Sequence, residues 1–256
     1  MKIRQFDLIN SEGEVYTLTV ANNFTGFLTT VEGLGYDHSP DYQKVGSEYE
    51  RLTDGINQKT IAGVILFSDP YSYQNFSKFA LFCQDKDLTL CYRTPTGLFK
   101  RKGEVSKIEK SEGGDCLKAK IEFVCSTLWY KEYDLTAANA SSISVISDSL
   151  IESPCHVWIT PSAAITSASW TTYIDEVVDI TGALSSIEVG TSETLHIRTD
   201  SNPYRIYKSG NTETDLYSKS DFSKKRFMLI KKGVNRITFG FTGNIGIEGK
   251  ILYETV

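Results

Sequence analysis

Leu117-Lys-Ala-Lys-Ile-Glu-Phe-Val-Cys125 alternates apolar and polar residues with little interruption. Successive side chains of a strand point to opposite faces, so Leu117, Ala119, Ile121, Phe123 and Cys125 fall on one side of an extended chain. This period of two predicts a half-buried strand, and its surroundings extend the pattern. Residues 60–67 form an apolar, β-favouring run. Residues 88–92 and 98–108 flank a turn at Pro95-Thr96-Gly97, and 112–115 supplies the turn into Leu117. At the start, Phe6 and Leu8, a turn at 11–14, and Tyr16, Leu18 and Val20 read as a hairpin. One helix interrupts these strands. Tyr73, Phe76, Phe79, Ala80 and Cys83 recur at helical spacing, with Asp69 as an acidic cap and Pro70 as an early proline.

Two further segments set the organisation. Residues 31–58 are polar and lack strong periodicity, which is unusual inside a compact domain and predicts an arm or long hairpin touching something outside its own fold. Residues 134–142 are small and polar and read as a linker, giving domains over 1–133 and 140–256. Beyond that linker helical signal is nearly absent, and short strands separated by Gly, Pro, Ser and Asn predict a sandwich or jelly roll. The last 20 residues read as a hairpin: Ile237, Phe239 and Phe241, a turn at Gly243-Asn244, then Ile245, Ile247, Ile251 and Tyr253. The fold class expected is mainly β: an α+β first domain with a barrel-like sheet and one helix, then a β-sandwich.

Composition narrows the function classes. A chain of 256 residues exceeds the usual span of one hydrophobic core, which supports two domains. No apolar run approaches the roughly 20 residues of a membrane-spanning helix, so no membrane insertion is expected. The opening Met-Lys-Ile-Arg-Gln-Phe-Asp-Leu lacks a secretory apolar core, which predicts synthesis in the cytoplasm. Five cysteines, without a C-x-x-C pair, signal neither a disulfide framework nor a zinc knuckle; Cys83 and Cys125 read as small buried hydrophobes. A net charge of −5 argues against a broad grip on nucleic acid. The short clusters Lys100-Arg101-Lys102 and Lys224-Lys225-Arg226 read as solvated turns or strand ends.

No catalytic constellation emerges, and neither metal nor cofactor is expected. There are three histidines. His38 has acidic neighbours in an irregular segment, His156 adjoins Cys155, and His196 alternates with Leu195 and Ile197 as though facing solvent. Gly240, Gly243 and Gly246 read as hairpin residues rather than a phosphate cradle. Asp175-Glu176 with Asp179 could in principle serve a glycosidase, although acidic pairs on exposed strands are common.

The order of features resembles a known family. Lys2-Ile-Arg-Gln-Phe-Asp-Leu-Ile-Asn10, Gly33-Leu-Gly-Tyr36, the polar arm, Phe79-Ala-Leu-Phe-Cys83, Leu88-Thr-Leu-Cys-Tyr92, Gly97-Leu-Phe-Lys-Arg101 and Trp129-Tyr-Lys131 resemble the N-terminal domain of distal tail proteins from siphophages and prophages of Gram-positive bacteria. Pro203-Tyr-Arg-Ile-Tyr207, Asp221-Phe222 and Gly233-Val-Asn-Arg-Ile237 resemble their C-terminal domain, a galectin-like sandwich. The resemblance implies a non-enzymatic virion protein of the tail tip, assembled in the host cytoplasm. It implies a hexameric ring between the last tail-tube ring and the tail-associated fibre or lysin protein, with receptor-binding proteins on the outer domain and DNA only passing through the lumen. Tyr36, His38, Tyr42 and Tyr49 in the arm are the candidate oligomer or tube contacts. The alternative is a carbohydrate-binding module acting through the sandwich. The galectin tryptophan signature is absent, but Trp158, Trp170 and Tyr173 are candidate glycan or partner contacts.

Overall fold

The computed structural model describes residues 5–18, 26–35, 38–45, 48–56, 59–68, 70–113, 116–223 and 225–255, with backbone alone at 38–45, 48–56 and 116. The chain divides into two compact units, Met1–Tyr130 with Glu254–Val256, and Lys131–Tyr253.

The first unit is a strongly bent antiparallel sheet with one helix. Strands β1 (Gln5–Ile9) and β2 (Val15–Thr17) form the expected opening hairpin. After them come β3 (Phe27–Glu32), β4 (His38–Val45), β5 (Glu48–Ile56) and β6 (Thr60–Ser68). Helix α1 (Ser72–Phe82) precedes β7 (Leu88–Thr94), β8 (Gly97–Gly113) and β9 (Cys116–Cys125). The sheet runs β2-β1-β7-β8-β9-β6-β3. The Leu28 amide donates to the Leu18 carbonyl at 3.1 Å, drawing β3 back toward the opening hairpin. Inward residues from five strands, among them Phe6, Leu28, Ile61, Leu90 and Phe123, surround one apolar interior with a void of only about 10 Å³. The interior is therefore filled by side chains rather than hollow. In β9 the inward set is the one given by its alternation: Leu117, Ala119, Ile121, Phe123 and Cys125 are all buried.

Helix α1 lies where its aromatic spacing predicts, with a shifted stripe. Phe79 is fully buried and its ring sits 5.8 Å from Phe67 and 5.2 Å from Tyr16. Tyr73, expected on the buried stripe, is 57% exposed, while Ser72 takes the inward place one residue earlier. The N-cap position is Tyr71, without a side-chain cap bond, and Asp69 lies outside the described residues.

The second unit is a two-sheet sandwich. Its strands are β10 (Trp129–Ser147, entering from the first unit), β11 (Ser153–Pro161), β12 (Ala168–Ile174), β13 (Val177–Leu184), β14 (Thr194–Arg198), β15 (Arg205–Ser209), β16 (Thr214–Asp215), β17 (Leu229–Ile230) and β18 (Gly233–Tyr253). One sheet runs β16-β15-β14-β11-β18-β10, and the other is β13-β12-β18. Strand β18 belongs to both: residues 235–239 pair with β12 and 243–249 with β11. Val157, Ile159, Leu195, Ile197, Ile206, Ile245 and Ile247 from the first sheet meet Trp170, Leu184, Ile237 and Phe239 from the second in one core.

Two expectations need correction here. The final hairpin is instead one continuous strand that changes sheets, and Gly243 makes no turn. A Cβ on it would lie 2.3 Å from the Thr160 carbonyl, so glycine is needed for clearance. Nor is 134–142 a linker: it lies within β10. Its polar composition reflects exposure along most of 134–139, while Ala137 and Ala140 rest on the core.

Candidate functional site

The arm is a hairpin. Strands β4 and β5 pair antiparallel from His38↔Ile56 to Val45↔Glu48, with a register shift after Asp41. They form a two-stranded sheet of their own, joined by backbone pairing to no third strand among the described residues. Tyr42 stands opposite Arg51 and Tyr49 opposite Lys44 in the register, while Tyr36 and the side chains of His38, Tyr42 and Tyr49 lie outside the described residues.

The three aromatic candidates in the sandwich separate clearly. Trp170 is 2% exposed and donates its indole N–H to the Arg226 carbonyl at 3.1 Å, so it is core and no ligand contact. It lies across Gly182, the residue opposite on β13, where a Cβ would come within 2.1 Å of the ring. Trp158, half-buried on the outer face of β11, repeats the arrangement over Gly246 of β18. Tyr173 is half-buried beneath the Arg236 guanidinium, 4.5 Å from its ring centre.

Near Trp158 the outer face carries a polar chain that single-strand reading misses. His156 Nδ1 lies 2.8 Å from Glu248 Oε1, His156 Nε2 lies 2.9 Å from His196 Nδ1, and His196 Nε2 lies 2.7 Å from Ser209 Oγ. With both rings neutral the chain has one consistent direction, the Ser209 hydroxyl donating to His196, His196 to His156, and His156 to the carboxylate. Tyr207 stacks on His196 at 4.5 Å. His196 is thus half-buried rather than solvent-facing. Burial first, and then the neighbouring His156, pull its pKa down to about 4. The chain spans β18, β11, β14 and β15 and fastens four strands across one face. Cross-strand proximity, invisible within any one strand, brings the two histidines together.

Other suspected chemistry is spent on structure. Asp175 and Glu176 form the two-residue β12–β13 turn, both at positive φ. Asp175 accepts the Val234 amide at 2.8 Å, Glu176 pairs with Arg236, and Asp179 accepts from Lys231 at 2.8 Å. They do not face one another across a cleft. Cys83, Cys91, Cys125 and Cys155 are buried, with the Cys83 and Cys155 thiols pushed up to about 12 by burial. Among the described residues no group of three or more His, Cys, Asp or Glu could hold a metal ion. No helix among them is long and apolar enough to cross a membrane. Arg101, expected in a solvated cluster, is instead 2% exposed, donating to the Thr127 carbonyl at 2.7 Å beside the Trp129 ring.

A family model and several solved structures resemble the chain. Residues 5–126 match the family model described as the distal tail protein N-terminal domain. Over 98% of its length the chain superposes on the whole of the phage SPP1 Dit protein (gp 19.1), whose structure is titled a paradigm of the hub adsorption apparatus in Gram-positive infecting phages, with TM-score 0.67 and 14% identity. Chains of the phage p2 baseplate in its activated conformation, with Sr and with Ca, match over their full lengths and all of this chain at TM-score 0.57, with 17% and 18% identity. No curated protein matches.

Proposed function

We propose that this chain is a phage distal tail protein, a baseplate hub whose six copies close into a ring, a reading supported by the distal tail N-terminal domain model that matches residues 5–126. The ring joins the last tail-tube ring to the tail-associated fibre or lysin protein, while the second unit faces outward and offers a platform for receptor-binding proteins. The protein is a structural part of the virion, assembled in the host cytoplasm, with no turnover of its own. DNA meets it only in transit. Six copies at −5 each carry −30, which suits a ring that nucleic acid crosses without sticking.

The observation that carries this reading is the β4–β5 hairpin on a distal tail domain. A two-stranded ribbon without a third strand is marginal in water and gains stability by packing on another surface. A neighbouring subunit or the tube ring supplies such a surface. Replacing residues 38–56 with a short Gly-Ser loop tests it. The protein should still melt cooperatively but lose its assembled form in light scattering. Unchanged assembly would remove the hairpin from the interface.

Sugar capture, the alternative reading, gains little from Trp158, Trp170 and Tyr173. Trp170 is buried, Gly246 lies under Trp158, and Arg236 covers Tyr173.

A further inference from the structure

A different surface of the second unit has the chemistry of a ligand site. Asn202, Tyr204, Arg205, Asp215, Tyr217 and Phe227 line an open pocket of about 960 Å³, at the upper end of the volumes typical of small-molecule sites. Its walls are aromatic. Tyr204 meets Phe227 edge-on at 5.2 Å, and Tyr217 stacks on Phe227 at 6.1 Å. Tyr204 and Tyr217 nevertheless stay 44% and 37% exposed, so ring surface remains open to a visitor.

Arg226 stands among these rings, 4.3 Å from the centre of Phe222 and 5.2 Å from that of Tyr217. The second unit has four arginines. Three have a carboxylate partner: Arg198 with Asp200, Arg205 with Glu213, and Arg236 with Glu176. Arg226 has none among the described residues. It donates to the Asp221 carbonyl at 3.1 Å and to the Tyr217 hydroxyl at 3.5 Å, and its buried Nε finds no acceptor there. Arg226 also borders a smaller pocket of about 370 Å³, where the exposed Lys225 is likewise without an ion pair among the described residues. An uncompensated guanidinium held by aromatic faces is preorganised to take an anion through two parallel hydrogen bonds.

We propose that this pocket binds a sugar unit carrying a carboxylate or phosphate group. The pyranose lies on Tyr204 and Tyr217, its hydroxyls reach Asp215 and Asn202, and its anion docks on Arg226 with Lys225 alongside. Flat aromatic walls suit the apolar face of a sugar ring, and a cation without a carboxylate partner calls for an anionic group on it. The site lies entirely within the second unit and stands independently of the ring, so a failure of either leaves the other intact.

The test is calorimetric titration of the full chain with four ligands: an oligogalacturonate, N-acetylglucosamine 1-phosphate, a neutral galactose oligomer and inorganic phosphate. One or both anionic sugars should saturate, with the neutral sugar and free phosphate at least about tenfold weaker, since the ring and the anion each contribute. Which anionic sugar wins identifies the anion. Arg226→Gln should weaken binding about tenfold or more. If that variant melts early, Tyr204→Ala, at an exposed ring, should still weaken it several-fold. Absence of saturable binding by either anionic sugar would overturn the proposal. So would equal binding of the neutral sugar or of inorganic phosphate, or binding that both substitutions leave unchanged.

Discussion

Trp170 and Trp158 occupy the same local arrangement at different depths. Each indole lies flat over a glycine on the adjoining strand, and a Cβ at Gly182 or Gly246 would intrude to 2.1 Å. Overpacking a closed core costs about 1–3 kcal/mol, so Gly182→Ala should lower stability by that amount in urea unfolding. Gly246→Ala should cost clearly less, because the half-exposed Trp158 can swing outward. Equal losses would show that Trp158 is held as rigidly as Trp170. At His196 the effect is one of pH. Its folded pKa lies near 4, below the ordinary 6.5, so between those values the unfolded chain binds the proton that the folded chain refuses. Stability should therefore be fully present above about pH 6.5 and decline as pH falls toward 4. His196→Gln should flatten that slope in melting curves taken across the window. The tryptophans and histidines were visible in the sequence as residue types. Which faced inward, and which met across strands, depends on register between segments 40 to 90 residues apart, and a single-strand pattern does not encode it.

Elements were more legible where one face is wet. Strands β6 and β9 and hairpins β1–β2 and β7–β8 follow their alternation closely, because half-burial writes a period of two into the sequence. Helix α1 follows for the same reason at its own period. Phe79→Ala should cost about 3–5 kcal/mol, whereas Tyr73→Ala should cost less than about 1 kcal/mol, a contrast measurable by denaturant unfolding. If the two cost the same, the stripe has been placed wrongly. Legibility failed at β10 and β18. Small residues in 134–142 mimic a linker where a strand is largely exposed, and glycine marks both turns and close backbone approach. Within the polar segment 31–58, residues 38–45 and 48–56 pair as a hairpin, while Val31 and Glu32 belong to β3.

At the scale of the whole molecule, the resemblance to distal tail proteins was legible in the order of short apolar signatures, and residues 5–126 match the model of their N-terminal domain. The contacts that would make a hub were not legible, since the residues completing them belong to other chains. The pocket around Arg226 was also hidden. Tyr204, Tyr217 and Phe227 are scattered over 24 residues that fold together only in the sandwich. The most direct test of the hub is the mass of the purified protein in solution by multi-angle light scattering, alone and mixed with the tail-tube protein, with negative-stain images of the same samples. Six-fold rings with a central hole, at six times the 28.6 kDa chain mass or a multiple of it, are the expected result. A stable monomer under both conditions would contradict it.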